Sequence, residues 1–175
     1  LASITDDDGH SLASADLKLG MTVRVDAGAI DQATGTAVAT AVQVGSDLVG
    51  PVSANDLAAS TLTVLGQTVR ITASTVFDDS LPGGQAAIAV GAKVEVFSIL
   101  DPVSGVYAAR RIEPAGAPPA YKLRGVVANL DKTGHTLQIG AATLTYSADM
   151  APADLANGQI VRVKLQTAQD DNGRW

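Results

Sequence analysis

The sequence contains no cysteine, which excludes a disulfide framework and thiol chemistry. It has one tryptophan, three tyrosines and two phenylalanines. A core must therefore be assembled from Val, Ile, Leu and Ala, with Phe77, Phe97 and Tyr146 as rare large fillers. Positive charge is also scarce: 12 Lys and Arg stand against 18 Asp and Glu, for a net charge of −6. A nucleic-acid binder needs cations to displace counterions and aromatic faces on which bases stack, so no nucleic-acid partner is expected. No apolar run approaches the ~20 residues a membrane-spanning helix requires, so no membrane span is expected either.

What is present is 46% hydrophobic and 17% charged residues, the composition of a folded chain. Its 175 residues suffice for one domain or for two to three very small ones. The first residue is Leu1 rather than Met, and the expectation is a chain processed at its N-terminus or a piece of a longer one.

The dominant signal is repetition. The segment DLKLGMTVRV at Asp16–Val25 recurs as the stretch around Gly91 to Val96, and again as DLANGQIVRV at Asp154–Val163. Aligned on Gly20, Gly91 and Gly158, three apolar pairs stay in step: Val23 and Val25, Val94 and Val96, Val161 and Val163. Each pair alternates with polar residues, the period of a half-buried strand. An Asp-to-Gly turn follows each one, at Asp31–Gly35, Asp101–Gly105 and Asp170–Gly173. A second pattern, LVGPVSANDLAASTLTVLG from Leu48, returns as LRGVVANLDKTGHTLQIG from Leu123. Two sub-patterns repeating together predict tandem copies of one unit.

The most complete copy, 48–113, predicts five strands near 48–54, 60–65, 67–76, 92–99 and 105–112, with a helical turn near 84–90. Five short strands in so few residues suit a small OB-like or related Greek-key β-barrel. The fold class expected is all-β: tandem small OB-like or Greek-key barrel repeats with short helical turns. The prolines of EPAGAPPAY cannot sit inside a sheet ladder. The units are therefore 1–47, a partial N-terminal repeat; 48–113, a complete barrel; 114–120, a proline-rich linker; and 121–175, a repeat lacking its last strand. The linker is expected to disfavour folding of the two ends together. Within the complete unit Val94 and Val96 should be buried, and Lys93 and Glu95 should face solvent.

On LxxGxxVxV, the Asp-to-Gly turn, AxxIE, GxV and TLTVLGQTV, the chain resembles the bacterial domain-of-unknown-function 5666 family. The resemblance is densest at Asp16–Val25, Ser46–Val52, Ser60–Asp79 and Tyr121–Val126. It implies tandem small β domains carried behind an export signal, often a lipoprotein one, and hence an extracytoplasmic location in the periplasm, at the cell surface or secreted. It implies no catalytic residue.

Few residues carry chemistry. His10 and His135 lie in turns without a second His or Cys at ligand spacing. The acidic runs Asp6–Asp8, Asp78–Asp79 and Asp170–Asn172 offer oxygen to Ca²⁺, but none matches a twelve-residue calcium loop, and solvated turns are the simpler reading. No metal and no cofactor are expected. One basic cluster, Arg110, Arg111, Lys122 and Arg124 flanked by Tyr107 and Tyr121, reads either as a polymer or interface contact or as ion pairs between units.

Two functions survive: a non-catalytic structural or adhesive module acting by self-association or by contact with another envelope protein, and a ligand-binding module for a polysaccharide or other polymer. An enzyme lacks a nucleophile–base pair and metal-ligand spacing. Because each end unit is missing strands that the other partly supplies, head-to-tail self-pairing is the expected association.

Overall fold

The computed structural model describes residues 2–175. It is built from thirteen strands and two 3-10 turns, Ser14–Asp16 and Gly84–Ala87, with no other helix among the described residues. Nothing in it is a helix long and apolar enough to cross a membrane. β-branched residues and frequent glycine make this outcome the natural one.

The middle unit closes on itself. Its strands are β4 (Leu48–Asp56), β5 (Thr61–Val64), β6 (Gln67–Arg70), the two-residue β7 (Val76–Phe77), β8 (Lys93–Leu100) and β9 (Tyr107–Pro114). β4 pairs antiparallel with β5, and β5 with β6. β6 pairs parallel with β9, β9 antiparallel with β8, and β8 antiparallel with β4. The circuit β4-β5-β6-β9-β8 is a closed five-stranded barrel, with one 3-10 turn between its third and fourth strands. That is OB-like topology, as the sequence predicts. The stretch near 67–76, expected as one strand, breaks at Ile71 into β6 and β7, because Thr72, Ser74 and Thr75 bond to one another as a turn.

Val94 and Val96 are 2% and 0% exposed, among a core that includes Leu48, Val52, Leu62, Val64, Val69 and Ile112. Lys93 is exposed, as expected. Glu95 is not: it lies half-buried, because the N-terminal segment folds over that face of β8. Strand periodicity placed Glu95 opposite the valines, and tertiary packing covered it.

The C-terminal unit repeats the first four barrel strands as β10 (Tyr121–Asp131), β11 (Thr136–Ile139), β12 (Ala142–Thr145) and β13 (Ile160–Leu165). β10 pairs with β11 and β13, and β11 with β12. The N-terminal unit holds only β1 (Ser3–Asp6), β2 (Val23–Ala27) and β3 (Ala39–Val44), in the order β1-β3-β2. β2 and β3 match β8 and β9. β1 runs parallel to β3, with Ile4 opposite Val42, as β7 runs parallel to β9 with Phe77 opposite Ile112.

The turns follow the sequence closely. Gly20, Gly91 and Gly158 all adopt positive φ, at 90°, 89° and 87°, a conformation open to glycine because it lacks a Cβ. Gly20 has a second reason: a Cβ there would lie 2.6 Å from the Arg110 carbonyl oxygen of β9.

Candidate functional site

Of the basic cluster, Lys122 meets the acidic N-terminal turn, at the junction of the three units. Asp6 organises the turn by accepting hydrogen bonds from the Asp8 and His10 backbone N–H groups at 2.9 and 2.8 Å. This projects Asp7 and Asp8 onto the C-terminal unit. Lys122 Nζ on β10 reaches Asp7 at 2.6 Å and Asp8 at 2.7 Å; Arg162 and Lys164 on β13 reach Asp7 and Asp8 at 2.6 and 2.5 Å. Hydrogen bonds from Lys122 and Lys164 hold the Asp8 carboxyl down at a pKa of about 2. Burial disfavours the charge of Lys122, but its two carboxylate partners outweigh that and keep its pKa above the ordinary lysine value. The two ends of the chain thus touch through ion pairs, and the proline-rich connection does not keep them apart.

The other members of the cluster are spent inside the molecule. Arg111, 7% exposed, bonds Asp78 at 3.0 Å and Glu113, and reaches the Leu19 carbonyl at 3.4 Å. Arg124 pairs with buried Asp47 at 3.2 Å, and Asp47 accepts from Ser98 at 2.6 Å. Arg110 bonds the Ser74 hydroxyl at 3.3 Å. Tyr107 and Tyr121, 1% and 4% exposed, are core residues and present no stacking platform. The Tyr107 hydroxyl donates to the Arg124 carbonyl at 2.5 Å, which ties the middle barrel to β10; burial raises its pKa further beyond the ordinary tyrosine range. Two buried contacts reinforce this joint. Gln67 donates to the Ile139 carbonyl at 2.7 Å, and β4 pairs with β10 at Val49–Lys122 and Leu48–Leu123.

Beneath the acidic turn lies a cleft of about 320 Å³, lined by Asp7, Asp8, Glu95, Glu113, Lys122 and the apolar Phe97, among others. Desolvation pushes the Glu95 pKa up, and the nearby Glu113 and Asp7 add to it. Ser46, 1% exposed, sets its hydroxyl near enough to Glu95 to favour the charged form, but outside hydrogen-bond geometry to any group. Sequence spacing gave no warning of this cluster, since its acids come from two units.

Asp6, Asp8 and His10 bring ligand atoms within 4.8 Å of one another. Three donors fall short of the six to eight oxygens Ca²⁺ takes. All three are also engaged: His10 Nδ1 with Asp6 at 2.8 Å, and Asp8 with two lysines. Asp78 accepts from the Ser80 N–H and hydroxyl, and Asp170 from the Asn172 and Arg174 N–H groups, so these acidic runs work as turn formers. His135 stands at φ 51° with its ring edge-on to Tyr146 at 5.6 Å, beside a cavity of about 160 Å³ that also takes in Lys132.

A different kind of surface is left at the two ends. Among the described residues β2 pairs only with β3, and β13 only with β10, whereas the matching β8 is paired on both sides. Each therefore carries a row of unpaired backbone groups. The apolar rows along these strands are exposed to different degrees: Val23 is 48% and Val25 50% exposed, while Val161 and Val163 are half-buried.

Residues 49–113 match the model of a family described as Domain of unknown function (DUF5666). No curated protein and no solved structure matches the chain. The matched segment is the five-stranded circuit from β4 to β9, so the closed middle barrel is the part of the chain that is similar to the DUF5666 family.

Proposed function

We propose that this chain is a non-catalytic structural or adhesive β-repeat module of the cell envelope, outside the cytoplasm, which works by self-association or by contact with another envelope protein. The observation that carries the reading is that, among the described residues, β2 pairs only with β3 and β13 only with β10. Exposed edges are normally blunted, because they recruit further strands. β2 keeps an apolar row beside its open edge, with Val23 and Val25 about half exposed. Head-to-tail pairing of β2 with β13 of a second copy is heterologous, so it closes into a ring or extends into a filament. The resemblance to exported β-repeat proteins supports the location. The burial of Tyr107 and Tyr121 is why strand contact is preferred to polymer binding, which would use aromatic platforms.

Light scattering behind a sizing column tests the reading. The expected result is a mass above 17.7 kDa that rises with concentration and falls back to the monomer in Val25→Lys. A monomer at every concentration, with the β2 and β13 amides protected from hydrogen exchange, would overturn it.

A further inference from the structure

Two carboxylates reach the cleft beneath the acidic turn from adjacent strands, because Glu95 of β8 stands directly opposite Glu113 of β9. Like charges so placed repel, and each calls for a cation. Glu113 has one in Arg111, and Asp7 and Asp8 share Lys122, Arg162 and Lys164. Among the described residues Glu95 has no ion-pair partner. Ser46, 1% exposed, lies beside it on the same cleft with its hydroxyl unpartnered. A buried hydroxyl left unbonded costs free energy, as does a half-buried carboxylate without a counter-charge. Desolvation, Glu113 and Asp7 already disfavour the charge on Glu95, a cost that a bound cation relieves. The walls lie between residues 6 and 122, so neither chain end forms part of the cleft.

We propose that this cleft binds a small organic cation, a primary ammonium group on a short apolar stem. The ammonium carries three N–H donors, enough for the Glu95 carboxylate and the Ser46 hydroxyl together. The rest of the lining selects the stem: Phe97 and Val49 are buried and apolar, and Leu12 and Met21 add half-buried apolar surface. A bare metal ion would need several oxygens converging at bonding distance. Among the described residues the one trio of such groups with ligand atoms within 4.8 Å is Asp6, Asp8 and His10, so Glu95 and its acidic neighbours form no metal cage. The volume of about 320 Å³ is at the lower end of small-molecule sites. No residue of β2 or β13 lines the cleft, so the site stands or falls separately from the strand edges.

Calorimetric titration of the whole chain with n-butylamine tests this at low salt and about pH 8, where the amine is protonated as a lysine is. The expected result is saturable binding with a dissociation constant of about a millimolar, the affinity open to so few heavy atoms. Amide shifts in NMR spectra should centre on Ser46, Glu95 and Phe97. Glu95→Gln should weaken binding roughly tenfold or more while melting no lower than the parent chain, which separates loss of the site from loss of the fold. Ser46→Ala, which deletes one hydroxyl, should weaken it roughly threefold. n-Butanol, the same stem without the charge, should not bind at the same concentration. Equal binding of n-butanol, or butylammonium shifts that persist unchanged in Glu95→Gln, would overturn the site. Calcium chloride that binds more tightly than the amine and moves the same amides would overturn the ligand class in favour of a metal ion.

Discussion

The three units carry one sequence pattern and bury it to three different extents. Val94 and Val96 are 2% and 0% exposed; Val161 and Val163 are half-buried; Val23 and Val25 are 48% and 50% exposed. The difference does not come from the strands themselves, since all three alternate in the same way behind the same glycine. It comes from their neighbours. β8 has β4 and β9 on its two sides within a closed barrel, β13 has β10, which in turn carries the hairpin β11–β12, and β2 has only β3, which in turn carries β1. A period-two pattern states which side chains share a face; closure decides whether that face is dry.

Introducing a charge at equivalent positions is the largest test of this comparison. Val94→Asp should abolish cooperative unfolding of the middle barrel. It forfeits the roughly 1.5–3 kcal/mol of a fully buried valine and adds an unpaired buried carboxylate, against a total domain stability of about 5–15 kcal/mol. Val161→Asp should cost an intermediate amount, and Val23→Asp should be close to silent in the monomer. Denaturant midpoints that shift equally for all three would break the comparison.

Glycine-to-alanine changes at matched sites of the middle barrel and the C-terminal unit come next. A Cβ at Gly50 would lie 2.6 Å from Leu65 Cγ, within one barrel. At Gly125 it would collide with Ile139 and stand 2.7 Å from the Tyr107 hydroxyl, which also bonds Arg124 across the joint. Both substitutions should destabilise by about 1–3 kcal/mol, as overpacking does. Gly125→Ala should additionally split the melt into two transitions by loosening the C-terminal unit from the middle barrel; calorimetry showing a single transition for both variants would argue against a joint centred on Tyr107.

A smaller effect follows from Glu95, whose surface-facing place in the strand pattern is overruled by the N-terminal segment. Its folded-state pKa is raised above the ordinary 4.5, so between 4.5 and the raised value the native state binds the extra proton. Stability contributed by that proton is present at low pH and lost as pH rises through the folded pKa. Glu95→Gln should therefore stabilise the chain at neutral pH and flatten this part of the pH profile. A destabilising substitution at pH 7 would show instead that the ionised carboxylate holds the N-terminal segment down.

The smallest effect concerns Asp8. Its pKa is depressed to about 2, so its contribution is complete above about 3.8 and is lost as pH falls from there toward 2. The carboxylate is partly exposed, and salt screens such pairs. Asp8→Asn should leave the melting temperature of the barrels almost unchanged while speeding hydrogen exchange in β1 and β3. The difference should shrink at high salt; an equal difference at low and high salt would point to packing rather than charge.

Much of the architecture is readable before any coordinates. Local physics acts within a few residues, so alternation yields β8, glycine at Gly91 yields the bend before it, and Asp101 to Gly105 yields the turn after it. The break after Arg70 is less legible, because the Thr72–Thr75 turn competes with strand formation through side-chain hydrogen bonds that add to one backbone bond from the Thr75 N–H to the Thr72 carbonyl. The junction is not legible at all. Asp7 and Asp8 look like one more solvated turn until folding sets them against Lys122, Arg162 and Lys164 from the far end of the sequence.

By itself, then, the sequence determined the alternating strand faces, the glycine bends and the Asp-to-Gly turns, all set by backbone sterics and short-range hydrogen bonding. Only the tertiary structure decided that the acidic N-terminal turn meets Lys122, Arg162 and Lys164, that Tyr107 and Arg111 are buried rather than displayed, and that Glu95 is covered. Those outcomes depend on contacts between residues distant in the chain, and burial is a property of what the neighbours leave uncovered.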